Sequence, residues 1–435
     1  MFQTESKESF SAATRKLLRN PSFVVILWTG IAQMAIYDAF LPFGKLFDRD
    51  IGVSYVHIGL LELIYSVVII CGILVGSYLS DLLPHRRSRF TGAFNCVWGC
   101  MCIVYSFAKG FWWLLTVYVI AGLAWFFQPA SRTYLLEQSG DKKHLAIGLF
   151  ACYRLPLLLN FLILLWVFNN YGFVSGMRIA LFFAGIVIVF LGIARWAYLT
   201  DPPKNPDISQ TPSLTGLIKE NSHTLRFIYR IAPAFVLITC IDAVSDTLYN
   251  FIIYFFLNEK AGITEAELLT GQLTLDALSI PLILWLSFRI AKSNGKKVFF
   301  LLYIVPTLTI VLLLVSLTNP TALFIPSYAP VAFKKLAFFG YSLKYISDFL
   351  WMLLLAPIAM SFVSRENATK AIGISWLLVH ISRVVAAPVA GWLYQQEYIT
   401  TILFSILALN CVILFIILAL DCKFNEKTNS LILND

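Results

Sequence analysis

AFVLITCIDAVSDTLYNFIIYFF, residues 234–256, sets the reading of the whole chain. The stretch is apolar over a length that crosses a bilayer, yet Asp242 and Asp246 stand near its middle. An α-helix needs about 20 apolar residues to span the hydrocarbon core. A charge at the bilayer centre costs roughly 2.5–3.5 kcal/mol on insertion scales, so it is seldom idle. Two aspartates four residues apart share one helical face, which Tyr249 and Asn250 extend by a turn. Carboxylates this close in a low dielectric resist joint ionisation, so this face is expected to hold a proton or meet a cationic solute. The competing reading pairs each aspartate with a base on a neighbouring helix.

The same pattern recurs outward from this stretch. About twelve membrane-length segments are predicted, at 22–46, 55–79, 89–109, 111–131, 145–169, 176–199, 227–256, 266–290, 297–317, 336–362, 370–394 and 398–420. Acids or bases fall mid-span in the first, second, fifth, seventh, eighth, tenth and eleventh. The third, sixth, ninth and twelfth are read as carrying none in their cores. That order predicts inner helices around a wet cavity and outer helices facing lipid.

Composition agrees with an all-α integral membrane protein. The 435 residues are 59% hydrophobic and 13% charged, with a mean hydropathy of +0.78, and no soluble globular composition looks like that. The short alternating segments of a β-barrel are absent. The net charge of +9 does not point to nucleic acid, because the basic residues cluster in short loops, as the positive-inside rule requires. The eight cysteines lie almost entirely in apolar segments, form no CxxC pair and share no metal spacing with the five histidines. They read as small core residues, and no metal or cofactor is expected. The apolar run 23–43 is too long for a signal peptide and is followed by further spans, so it reads as the first crossing.

Placing the N-terminus inside puts Arg86, Arg87, Arg89, Lys142, Lys143, Lys204, Lys219, Arg226, Arg289, Lys292, Lys296, Lys297, Arg365 and Lys370 in inner loops. The outer loops then hold Lys45, Arg49, Lys109, Lys260, Lys334 and Lys335. This asymmetry predicts both termini in the cytoplasm of a cell-membrane protein. The polar, Pro-rich segment 200–226 reads as a linker, dividing the chain into a six-helix bundle over 1–199 and a second over 227–435. The halves repeat: a shift of 210 places Ile51-Gly52-Val53-Ser54 on Ala261-Gly262-Ile263-Thr264, and Arg86-Arg87 on Lys296-Lys297. Pro129 resembles Pro357, and Ile147-Gly148 resembles Ile372-Gly373, in the same order. Two related halves are the plan of many transporters.

With these features the chain resembles the major facilitator superfamily over roughly Phe23 to Leu420. The loop Ser77-Tyr78-Leu79-Ser80-Asp81-Leu82-Leu83-Pro84-His85-Arg86-Arg87 keeps the acid and the paired arginines of the family pattern Gly-x-x-x-Asp-Arg-x-Gly-Arg-Arg, and departs from it at Ser77, Leu82, Pro84 and His85. The resemblance implies that Asp81, Arg86 and Arg87 latch the cytoplasmic side. It also implies that spans one, four, seven and ten line the cavity. Two antiporter marks are missing: Tyr118 occupies the arginine position four before Gly122, and Leu155-Pro156-Leu157-Leu158-Leu159-Asn160 keeps only the proline of the fifth-span motif. Span eleven retains Ala387-Pro388-Val389-Ala390-Gly391.

Nine charges lie within spans: the acids Asp38, Glu62, Asp242, Asp246, Asp276 and Asp348, and the bases Arg154, Lys344 and Arg383. Unpaired, they would cost some 25 kcal/mol at roughly 3 each, more than a typical fold's net stability. The acids outnumber the bases by three, so pairing alone cannot neutralise the set. Lys344 and Asp348, four apart, read as an internal ion pair. Arg154 or Arg383, the latter beside His380, would suit an anionic group; His380 itself reads as a satisfied polar residue. Asp38 and Glu62 lie toward the outer interface, near hydrating headgroups. Asp276 has no evident local partner. Trp112, Trp113, Tyr394 and Tyr398 read as interfacial belt residues.

These features predict a monomeric secondary active transporter that alternates access around a mid-membrane site. It is expected to be coupled to protons and to export a small organic cation or amphiphile. The alternative is proton symport of an anionic or sugar-like solute, anchored on Arg154 or Arg383. A membrane enzyme would need a nucleophile–base or metal constellation that is not seen. A transporter-like sensor would be expected to carry an added soluble domain, and a self-contained primary pump would need a Walker sequence.

Overall fold

The computed structural model describes residues 10–139, 149–201, 233–290, 295–318, 333–348, 368–419, 421–425 and 430–434, with isolated positions between 215 and 229. Its helices are α1 (Phe10–Leu18), α2 (Pro21–Phe40), α3 (Gly44–Asp50), α4 (Tyr55–Leu82), α5 (Arg87–Ser106), α6 (Phe111–Ala124), α7 (Gln128–Ser139), α8 (Arg154–Tyr171) and α9 (Phe173–Tyr198). They continue as α10 (Pro233–Phe255), α11 (Glu265–Ile290), α12 (Gly295–Thr318), α13 over 333–348, α14 (Ala368–Gln395) and α15 (Ile399–Ala419). A helix lies at each predicted span, the tenth being described only over 333–348. Among the described residues seven helices are each long and apolar enough to cross a membrane. The only strands described are β1 (Asp421–Asn425) and β2 (Ser430–Asn434), an antiparallel hairpin after α15. The predicted linker, and with it Lys142, Lys143, Ile147, Gly148, Pro357 and Arg365, lies largely or wholly outside the described residues.

Local chemistry sets the helix ends. Asn20 caps α2, its side-chain oxygen accepting from the Ser22 and Phe23 amides at 3.1 and 3.3 Å, with Pro21 at the favoured first position. Thr264 and Glu267 form a capping box at α11, the Glu267 carboxylate accepting from the Thr264 amide at 2.9 Å. The internal repeat is visible here. Gly52 and Gly262, 210 residues apart, both take the left-handed conformation, with φ of 92° and 67°. Each sits in the short connection just before the next long helix, α4 or α11.

The chain forms two compact units. The first comprises Met1–Leu41, Cys71–Ala108 and Thr116–Leu217; the second comprises Pro42–Ile70, Lys109–Leu115 and Ile218–Asp435. In the first unit, α5 and α9 pack through small residues seven apart. A Cβ at Gly99 would lie 2.6 Å from the Gly185 carbonyl oxygen, and one at Gly192 would lie 2.6 Å from Cys96 Sγ. Small residues let helix backbones approach closely in a membrane, where no hydrophobic drive joins them. The fourth span breaks into α6 and α7 at a 42° bend, and α4 receives the bend at Gly76, where a Cβ would strike the Phe126 backbone. In the second unit, α4 opens against α14. A Cβ at Gly59 would lie 2.8 Å from the Ala387 carbonyl oxygen, and one at Gly391 2.5 Å from that of Tyr55.

Because Gly99 and Gly185 face each other across backbone, Gly185→Val is expected to destabilise the protein by about 2 kcal/mol, the cost of overpacking a tight contact. Thermal unfolding in detergent checks this, with Phe183→Val, on a position 61% exposed, expected to stay near wild type.

Candidate functional site

The second unit gathers the charges. Lys344 on α13 is buried and reaches Asp246 on α10 at 2.5 Å, and its ammonium also donates to Asp348 one turn further along α13. Asn250 donates its amide to the second oxygen of Asp246 at 3.3 Å. The ammonium stands 5.2 Å from the centre of the Tyr249 ring. That ring is 2% exposed, and its hydroxyl has no hydrogen-bond partner among the described residues. Asp242, one turn before Asp246, lies beside the Tyr303 hydroxyl of α12 and within the field of Lys344. One cation therefore answers to three aspartates. A buried ion pair is stable only where geometry and added hydrogen bonds offset desolvation, and here a single ammonium is shared in that way.

Asp276 of α11, expected to lack a local partner, has two. Gln272, one turn earlier, donates to it at 3.2 Å, and Tyr345, beside Lys344 in sequence, donates at 2.8 Å. Tyr341 in turn donates to Gln272 at 2.5 Å. A polar chain thus runs along α11 and α13 next to the lysine. Its tyrosines were not singled out in the sequence, because aromatic residues on apolar helices read first as packing.

Glu62 is not left to headgroup hydration: it pairs with Lys45 at 2.8 Å, both side chains about four-fifths buried. Lys45 also donates to the main-chain carbonyl of Asn250 at 3.0 Å and lies 4.9 Å above the Phe251 ring. Reading Lys45 as a loop charge missed this. Tyr394, expected at the lipid interface, is 4% exposed and donates to Glu259 at 3.0 Å, whereas Trp112, Trp113 and Tyr398 are exposed. His380 is buried and stacks on Trp376 at 6.4 Å, with Arg383 close enough to act on it electrostatically.

In the first unit, Asp38 of α2 meets Tyr153 and Arg154 at the start of α8 rather than headgroups, with the Arg154 guanidinium 5.6 Å from the Tyr153 ring centre. The sixth span carries a buried charge in its last turn. Arg195 of α9 is 1% exposed and donates to Thr29 Oγ1 at 2.9 Å, Asn95 Oδ1 at 2.8 Å, Ser131 Oγ and the Thr91 carbonyl at 3.3 Å, and Gln33 Oε1 at 3.5 Å. All five partners are neutral. The sequence reading did not single it out, because it stands near the end of the span and nothing in the sequence shows the side chain turning inward. Of the latch residues, Arg87 is buried, donates to the Ser80 carbonyl at 3.1 Å and pairs with Glu137 of α7. Arg86 is exposed, and the Asp81 side chain lies outside the described residues. Asp201, not flagged by sequence, caps α5 by accepting from the Ser88 amide at 2.7 Å and hydroxyl at 2.5 Å.

The sequence profile of the Major Facilitator Superfamily matches residues 26–357. A search of curated proteins finds no relative. Among solved structures, the nucleoside transporter NupG is similar with a TM-score of 0.62 at 12% identity, over 91% of this chain and 98% of that one. A single-residue mutant of NupG gives a TM-score of 0.66 at the same identity, over 91% and 99%. A single-residue mutant of the peptide transporter POT is similar with a TM-score of 0.63 at 12% identity, over 91% and 93%. At such identity the likeness concerns the fold alone.

Removing Lys344 leaves Asp246 and Asp348 facing each other. Lys344→Met is expected to cost about 3 kcal/mol, since truncating one partner of a buried ion pair strands the other. Adding Asp348→Asn is expected to recover part of that loss. Melting temperatures of the single and double variants test both.

Proposed function

The chain belongs to the Major Facilitator Superfamily, and from that premise we propose a proton-coupled secondary transporter whose coupling site is Asp246, Lys344 and Asp348. It is a multi-pass membrane protein of a family of transporters rather than enzymes. The observation that carries the proposal is the sharing of one buried ammonium by carboxylates on two helices. With both carboxylates ionised, Lys344 is held between α10 and α13. When a proton binds Asp348, the ammonium keeps Asp246 alone, and the tie along α13 is lost. A solute bringing its own positive charge competes with Lys344 for the same carboxylates. Proton and solute then exclude each other, which is the logic of an antiporter. Asp242 adds a third negative group on the same helix face, so the proposed solute is a small organic cation or amphiphile, moved outward as protons move in. The basic loops support both termini in the cytoplasm of the cell membrane, with one chain as the working unit.

A second reading has one observation of its own. Arg195 carries a full charge among neutral partners, and an anionic solute symported with protons would supply its missing countercharge, where a sugar-like solute would offer it hydroxyl acceptors.

Proteoliposomes with an imposed pH gradient and a panel of cationic, anionic and sugar solutes separate the readings. The antiport reading expects cation efflux from the cytoplasmic side driven by inward protons, with Asp246→Asn reducing the pH-driven rate by about a hundredfold, the lower end of what a single proton-transfer group contributes. Transport that ignores the gradient, and persists in Asp246→Asn, rejects proton coupling. Accumulation of an anion that is lost in Arg195→Gln favours the second reading.

A further inference from the structure

We propose that the first unit carries a resident site for a small monovalent anion such as chloride, built from the Arg195 guanidinium and the Asn95 amide. The ion is neither cargo nor coupling partner. It stays in place and supplies the countercharge that Arg195 lacks.

The guanidinium is sunk between helices: Thr29 and Gln33 of α2, Thr91 and Asn95 of α5 and Arg195 itself are all buried. Its three nitrogens are unevenly served. Nε donates to Thr29 Oγ1 at 2.9 Å, and Nη1 is shared among Asn95 Oδ1, the Thr91 carbonyl and Ser131 Oγ. Nη2 carries two hydrogens, yet among the described residues it has one acceptor, Gln33 Oε1, at 3.5 Å. That distance lies beyond the usual range of a hydrogen bond. Thr29 gives its own hydrogen to the Val25 carbonyl at 2.6 Å, so toward Arg195 it can only accept.

Asn95 points independently to the same ligand. Its oxygen accepts from Arg195 at 2.8 Å. Its nitrogen, on the same amide and therefore beside the guanidinium, is buried with no acceptor among the described residues. A stranded buried donor is costly, and a bound ion is one of the few explanations for it. Turning the amide over does not mend this, because the NH2 group would then face the guanidinium. Two donor groups thus converge where no acceptor meets them fully.

Charge points the same way. Hydrogen bonds to neutral groups disperse the charge of Arg195 without cancelling it, and a buried charge is costly unless paired. Two acids close by in sequence are engaged elsewhere: Glu137 pairs with Arg87, and Asp201 accepts from Ser88. An ion touching Nη2 and the Asn95 nitrogen meets only N–H donors, which suits a halide, since it accepts from several directions and brings no donor of its own. The room is narrow. A Cβ at Gly30 would lie 3.7 Å from Nη2 and 2.8 Å from the Phe150 ring, so a monatomic ion fits this side better than a solute with a body behind its charge. Bound there, the ion strengthens the joint of α2, α5, α7 and α9, and a ligand of the folded form alone raises its stability.

The test is the melting temperature of the purified protein in detergent, with sodium chloride or bromide replacing sodium gluconate at constant ionic strength. Wild type is expected to gain about 2–4 °C, saturating with halide. Arg195→Gln is expected to lose this response. Asn95→Asp sets a carboxylate against the guanidinium; it is expected to melt above wild type in gluconate and to lose the halide response, and it serves if Arg195→Gln does not fold. No saturable halide shift in wild type overturns the site. A shift that persists undiminished in Asn95→Asp also overturns it, because the ion then binds elsewhere. Residence is read separately in proteoliposomes, where radiolabelled chloride is expected not to accumulate under the pH gradient. Chloride that accumulates, and ceases to in Arg195→Gln, overturns residence and makes the anion cargo. The melting response needs neither gradient nor solute, so its absence leaves proton-coupled transport standing, and pH-independent transport leaves the anion site standing.

Discussion

A charge inside a membrane-spanning helix must be answered by another charge, a dense set of hydrogen bonds or a proton, because the hydrocarbon core offers none of these. Lys344 is where that constraint bears hardest. Its ammonium is buried and held by Asp246 from one helix and Asp348 from its own. The nearby polar residues are ordered around this cluster: Asn250 steadies Asp246, Tyr303 sits by Asp242, and Tyr345 with Gln272 supplies Asp276. Two carboxylates around one ammonium leave a net negative charge when all three are ionised, so the triad favours taking up a proton or a cation. Any ligand or proton that alters its charge therefore has leverage over two helices.

The other buried charges follow the same constraint with different answers. Arg195 uses five neutral acceptors on α2, α5 and α7, which joins four helices of the first unit through one side chain. Arg87 and Asp201 fasten the start of α5, the first to Glu137 and the second by capping Ser88. In the second unit, Glu259 answers Arg49. A small-residue seam between α5 and α9 holds backbones together, while these polar ties sit where elements meet and change direction. Packing thus sets the shape of each unit, and charge sets which arrangements of its ends are stable.

Much of this was legible in the sequence, for physical reasons. The spans could be read because hydrocarbon thickness fixes their length. The repeat could be read at Gly52 and Gly262, where the backbone favours a residue without Cβ. The Lys344–Asp348 tie could be read because residues four apart share a helix face. The rest depends on which faces meet. No local pattern announces that Lys45 reaches the Asn250 carbonyl, that Tyr394 turns from the bilayer to Glu259, or that Arg195 points inward from the end of its span. Asp276 was misjudged more simply, since Gln272 lay one turn away on the same face.

The central claim is that the aspartates around Lys344 exchange a proton. Infrared difference spectra of the purified protein, titrated through neutral pH, report directly on it through the carbonyl band of a protonated carboxylic acid. The account predicts that the wild-type protein gains this band as pH falls, and that Asp348→Asn or Asp246→Asn removes or displaces it. An identical band in wild type and both variants, or none at all, would contradict the account.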